Sequence, residues 1–210
     1  MAITPMFPLE SVRLPGEDLP LRIFEPRYGA LVQDCLAAEE PAFGVVLISA
    51  GREVGGGDAR LDVGVLARID HCEAQGVGHY RLACTMTERI RIVQWLDDDP
   101  YPRATVQRWP DEPGAVVPES EITDVEDRIL AVFTRLAAAR GVKLREREFI
   151  LGPPTADVGK RLYTLASRVP MGQADKYSVL AAPDPSARLA ALSEAVESVA
   201  AMVEFQLSDG

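Results

Sequence analysis

Few residues of this 210-residue chain have the type and spacing that chemistry requires. His71, Cys72, His79 and Cys84 are the only soft-ligand cluster in the sequence. Their spacing matches no zinc pattern, and His71 and Cys72 are consecutive on a predicted strand, so they point to opposite faces. A buried cysteine beside rim histidines is the reading. Cys35, Cys72 and Cys84 are odd in number and lack a C-x-x-C pair, which fits free thiols in a reducing cytoplasm. Gly55-Gly56-Gly57 and Gly159-Lys160-Arg161 suggest phosphate loops. The first lacks Lys-Ser/Thr at a helix onset, and the second lacks a preceding strand and glycine-rich turn. The triple glycine reads as a hairpin tip. Ser167, Ser178 and Ser193 fall on predicted helices with no G-x-S-x-G elbow. Lys176 and Ser178 are two apart on a helix, so their side chains diverge. Glu39-Glu40 and Asp97-Asp98-Asp99 are carboxylate runs beside a helix end or a proline, with no cooperating acid. The expectation is a non-enzyme without metal or cofactor.

The elements that position these residues follow from hydrophobic period and proline. Leu19, Leu21 and Ile23 alternate with Pro20 and Arg22, a half-buried strand, and Pro26 sits where a helix can begin. Pro8, Pro15 and Pro20 must mark strand ends, a turn and an edge. Further strands are expected at Phe43–Ile48, Leu61–Cys72, Gly78–Leu96 and Tyr101–Trp109, with one helix near Pro26–Ala38. In the long strand Leu82, Cys84 and Met86, then Ile90 and Ile92, face inward, with Arg89 and Arg91 outward. Pro110–Pro118 reads as a hinge. Beyond it Ile122, Val125, Ile129, Val132, Phe133 and Leu136 form a helical stripe. Asp157–Val169, Gly172–Ala181 and Pro185–Leu207 carry further helices. The predicted fold class is α+β: a β-rich subdomain over residues 1–112, a hinge at 113–118 and a helical subdomain over 119–210.

Charge narrows the partners. The net charge is −10, which disfavours a phosphate backbone and suits a basic surface. No apolar run approaches the roughly 20 residues that span a bilayer, and no secretory leader is recognisable. A cytoplasmic location and no membrane contact are expected.

Two groups of side chains remain. Arg89 and Arg91 share a face. They form either a surface stripe or a lock in which Glu25 accepts a bidentate bond from one of them, with Arg27 as competitor. Phe24, Trp95, Tyr101 and Trp109 cluster near predicted strand ends and the hinge. They either fill core or stay exposed as an apolar partner-binding groove between the subdomains.

The ordered run Phe7-Pro8-Leu9, Pro15-Gly16, Leu19-Pro20-Leu21 and Ile23-Phe24-Glu25-Pro26-Arg27-Tyr28 resembles the opening of the LON substrate-binding domain, the amino-terminal domain of ATP-dependent Lon proteases. Val63–Ile69, Glu88–Ile92, Tyr101–Ala104, Asp175–Leu180 and Pro185–Leu189 continue the likeness. The resemblance implies a PUA-type pseudo-barrel with a helical extension, and a domain that helps capture unfolded or tagged substrates and supports assembly. Lon cuts with a Ser-Lys pair in a separate domain, which nothing in these 210 residues resembles. The expected function is therefore binding of unfolded or hydrophobic polypeptide, or an adaptor role. Edge strands could capture peptide by strand addition. The alternatives are RNA binding through a PUA-like barrel, centred on Arg81, Arg89, Arg91 and Arg103, and a small-molecule or hydrolase pocket.

Overall fold

A computed structural model describes residues 2–50 and 59–208. The loop reading at Arg52–Arg60 and the triple glycine within it fall almost wholly outside the described residues. Two units emerge, Met1–Pro110 and Asp111–Gly210.

The first unit contains β1 (Ala2–Leu9), β2 (Asp18–Ile23), α1 (Pro26–Leu36), β3 (Ala42–Ala50), β4 (Ala59–Gly76), β5 (His79–Leu96) and β6 (Arg103–Arg108). The sheet runs β2-β5-β4-β3-β1-β6, and β5 also pairs with β6. Five strands thus close into a ring, with β2 added outside it. The length of β5 makes this possible. Tyr80–Thr85 pair with β2, and Ile90–Leu96 pair with β6. Closure removes the exposed edges that an open sheet must defend.

Alternation sorts the side chains. Met6, Val46, Ile90, Ile92, Ala104 and Val106 form a buried cluster, with Leu66 and Trp95 packed against it. The next residue on β1, Phe7, points the other way, to Tyr28 of α1 (ring centroids 4.2 Å apart) and Phe43 (5.9 Å). Helix α1 therefore covers the opposite face of the sheet from this cluster. Gly29 lets it approach the β4–β5 turn, since a Cβ there would lie 2.7 Å from the Gly78 carbonyl oxygen.

Residues 111–118 carry no helix or strand. The second unit contains α2 (Glu119–Ala139), α3 (Arg147–Leu151), α4 (Val158–Ala166), α5 (Gln173–Ala181) and α6 (Pro185–Ser208). Helices α2 and α6 run in the same direction. Arg128 pairs with Glu197 at 2.8 Å and Arg135 with Glu204 at 3.8 Å, an equal step along both helices. Ile122, Val125, Ile129 and Val132 of the predicted stripe are buried, while Phe133 and Leu136 stay half-buried. The unit also encloses a cation. Arg188 is fully buried, donates to Asp111 at 3.0 and 2.5 Å, and stacks on Tyr163 at 3.9 Å. Gly159 makes room for this pair, because a Cβ would lie 2.6 Å from Asp111 Oδ2.

Candidate functional site

The soft-ligand cluster stays dispersed. Among the described residues no group of three His, Cys, Asp or Glu side chains is placed to hold a metal ion. All three cysteines are free. Burial pushes the thiols of Cys35 and Cys84 up to about 12, far from the nucleophilic range. The Cys35 Sγ donates to the Ala42 carbonyl at 3.3 Å. Lys160, singled out with Gly159 and Arg161, instead sits in the first turn of α4, where its N–H donates to the N-cap Asp157 at 3.0 Å.

The four aromatics singled out in the sequence occupy three places within the first unit. Tyr101 is buried and its hydroxyl donates to Asp34 Oδ2 of α1 at 2.6 Å. Burial and that carboxylate both raise the phenol's pKa. Trp95, at the same end of β5, is half-buried beneath the guanidinium of Arg60 at 4.6 Å. Trp109 lies beyond the other end of β6, its N–H donating to the Arg89 carbonyl at 2.8 Å. From Arg89 to Trp95 along β5 is about 20 Å at ~3.3 Å per residue, so these side chains share no groove within the unit. Phe24 stands apart from them and is 61% exposed.

The polar quartet separates into two pairs. Glu25, the N-cap of α1, accepts from Arg27 Nε at 3.1 Å. Arg89 and Arg91 turn instead to Trp109, at 4.3 and 3.8 Å from the ring centroid. Arg27, two residues from Glu25, reaches the carboxylate at little entropic cost. The two strand arginines gain an aromatic face, and burial of Arg89 strengthens that contact. Nor do Arg81, Arg89, Arg91 and Arg103 make one basic surface. Arg89 is only 4% exposed, and Arg103 is held by the Asp97 carbonyl at 3.3 Å and by Asp99.

Phe24 follows β2, the outermost strand. Beside it lies a recess of about 110 Å³ lined by Phe7, Leu9, Leu21, Ile23 and Tyr28, with Arg22 and Glu25 at its polar side. That volume holds several waters or one apolar side chain. The turn before β2 sets its register. Gly16 has φ +88; its N–H donates to the Met86 carbonyl at 2.8 Å, and the Met86 N–H donates to the Glu17 carbonyl at 2.8 Å. This is a bulge that places glycine in the left-handed region. Bonded and non-bonded pairs then alternate along the ladder, so Leu19 and Leu21 bond to β5 and Asp18, Pro20 and Arg22 face the open side. Pro20 has no N–H to offer there. The free edge thus lacks the middle donor that strand addition would use, a protected edge rather than an open template.

A closed barrel with one flanking strand, one covering helix and a helical unit of parallel α2 and α6 defines an α+β domain. The family model for the ATP-dependent protease La (LON) substrate-binding domain matches residues 3–198, so the chain belongs to that family. It is 30% identical to a "Lon protease 2" of Sorangium cellulosum over 97% of this chain and 24% of that protein. It is likewise 30% identical to a "Lon protease" of Anaeromyxobacter dehalogenans, over 68% of this chain and 16% of that protein. The chain therefore spans a quarter or less of the curated relatives it matches. Among solved structures, a Lon N-terminal domain protein from Xanthomonas campestris is 27% identical with a TM-score of 0.64, covering 91% of this chain and 97% of that one. The N-terminal domain of a Mycobacterium avium complex Lon protease shares the fold at 16% identity, with a TM-score of 0.65 over 93% of this chain and 98% of that one. The matches fall on the Lon N-terminal domain. No helix among the described residues is long and apolar enough to cross a membrane.

Proposed function

We propose that this chain is a polypeptide-binding module that takes hydrophobic segments of unfolded protein, with Phe24 and the recess between β2 and α1 as its contact. The observation that carries this reading is Phe24, a large apolar side chain left 61% exposed at the mouth of an apolar recess. Membership in a substrate-binding family supports it. An exposed aromatic beside a pocket has the composition of an interaction anchor. Because Pro20 removes the central donor of the β2 edge, recognition runs through side chains more than through backbone pairing. Trp95, Tyr101 and Trp109 serve the barrel and do not touch the ligand. An adaptor role uses the same contact with a folded partner's exposed segment.

The test is the affinity of the full chain for a reduced, carboxymethylated protein, measured by fluorescence anisotropy. Phe24→Ala should weaken binding by about tenfold, the loss of one buried aromatic anchor worth roughly 1.4 kcal/mol or more. Equal affinity of wild type and variant refutes the site. Equal affinity for the native and the carboxymethylated form of that protein refutes the substrate class.

A further inference from the structure

The helical unit holds a second surface, chemically unlike the first. At the C-terminal end of α2 a recess of about 510 Å³ has Phe133, Leu136, Phe149 and Ile150 as its apolar floor. Phe149 is 58% exposed and Val142 57%. An adjoining recess of about 390 Å³ shares Lys143, Leu144, Arg145 and Phe149, so the two recesses run on from one another along residues 143–149. That continuity suits an extended chain better than a compact small molecule.

Its charge is the telling feature. Arg140, Lys143, Arg145 and Arg168 line the larger recess, and no acidic residue does. Glu146 borders only the adjoining one. Every other arginine of the unit meets a carboxylate: Arg128 with Glu197, Arg135 with Glu204, Arg147 with Glu126 and Asp127, Arg161 with Glu126, and Arg188 with Asp111. None of the four cations of the recess has a carboxylate partner among the described residues. Arg145 stacks on Phe149 at 4.0 Å, and Arg168 Nη1 donates to the Phe149 carbonyl at 2.7 Å. Both guanidiniums are thereby held against the apolar floor. In a chain of net charge −10, four cations with no carboxylate in ion-pair contact line the larger recess and make a local positive field, with Glu146 at the border of the adjoining one. With a Debye length of about 10 Å at 0.1 M salt, distant acids do little to cancel it.

We propose that this recess docks an acidic, amphipathic polypeptide segment, whose apolar side chains lie on Phe149 and Leu136 while its carboxylates bond to Arg140, Lys143, Arg145 and Arg168. Bidentate guanidinium–carboxylate pairing supplies direction, and the apolar floor distinguishes such a segment from a plain polyanion. The site goes beyond the Phe24 reading and is independent of it, since it lies in the other unit and selects by charge.

The test titrates the full chain by calorimetry with a synthetic dodecapeptide alternating Glu with Leu and Phe. The comparisons are its Lys-for-Glu counterpart, an oligoglutamate of equal charge and an oligodeoxythymidylate. The acidic amphipathic peptide should bind at least about tenfold tighter than each. Phe149→Ala and the double variant Lys143→Glu/Arg145→Glu should each weaken it by at least about tenfold, while Phe24→Ala leaves it unchanged. Equal binding of the Lys peptide or the oligoglutamate, tighter binding of the oligonucleotide, or full affinity in the charge-reversed variant would overturn the proposal. Amide-resonance mapping on the unmodified chain guards against a misfolded variant. Shifts must centre on residues 136–150, and shifts confined elsewhere reject the site.

Discussion

Replacing Asp111 by Ala should be among the most damaging single changes in the helical unit, although Asp111 looks like a loop residue. Arg188 is fully buried, and its guanidinium has two bonds to this carboxylate, at 3.0 and 2.5 Å. Removing one partner of a buried pair typically costs about 3–5 kcal/mol, because a charge is left in low dielectric without compensation. The Asp111 side chain is 32% exposed, so water can reach part of the vacated site, and about 2–4 kcal/mol is the appropriate expectation. At an m-value of about 2 kcal/mol per molar urea, the midpoint falls by about 1–2 M. Urea unfolding followed by far-UV circular dichroism reads this directly. The double variant Asp111→Ala/Arg188→Met should lose less than the two single changes added together, because it strands no charge. A midpoint displaced by less than about 0.3 M in Asp111→Ala would refute the reasoning. Additive losses in the cycle would refute it too, since both results would mean that the pair contributes nothing specific.

Two further outcomes concern the first unit. Tyr101→Phe should cost about 1–2 kcal/mol in the same assay, since it deletes a 2.6 Å bond to the charged Asp34; an unchanged midpoint would show that water replaces it fully. Titration with an aromatic disulfide at pH 8 should modify Cys72 well before Cys35 and Cys84, whose burial raises them from 9.0 to about 12. Raised folded values mean that stability is complete below pH 9 and declines as pH climbs toward 12, with Tyr101 adding in the same direction. Melting temperatures that stay flat from pH 8 to pH 11 would contradict this.

Much of the fold was legible because its signals are local. Leu82, Cys84 and Met86 alternate with more exposed residues along β5, and Ile90 and Ile92 are buried as expected. A bulge between Met86 and Arg89 nevertheless puts the two sets on opposite faces, so that Met86 shares its face with Arg89 and Arg91. The alternation could be read from the sequence, and the change of face could not. The α2 stripe was visible for the equivalent helical reason. Its two outliers, Phe133 and Leu136, proved to be the part of the stripe that lines the cationic recess. Helix α3, with five residues, is too short to show a period, and only Gly152 (φ +82) and Pro153-Pro154 after it mark its end. Partners distant in sequence could not be read. Arg188 looks like a solvent-facing helix cation until Asp111, 77 positions away, is seen beside it. The choice of Trp109 over Glu25 by Arg89 and Arg91 follows from β5–β6 pairing, which no local pattern encodes. The four sequence-flagged aromatics have similar composition and unlike surroundings, and burial alone separates Phe24 from Tyr101 and Trp109.

The central claim, that the chain holds unfolded polypeptide at the junction of β2 and α1, is tested most directly by locating the bound chain. Amide and methyl resonances of the isotope-labelled protein would be followed while reduced, carboxymethylated polypeptide is added. The account predicts saturable shifts at Leu21–Tyr28 and at the methyls of Leu9 and Ile23, with the interior methyls of Val46, Ile90 and Val106 unmoved. Saturable binding that leaves Leu21–Tyr28 unperturbed, or no binding at all, would contradict it.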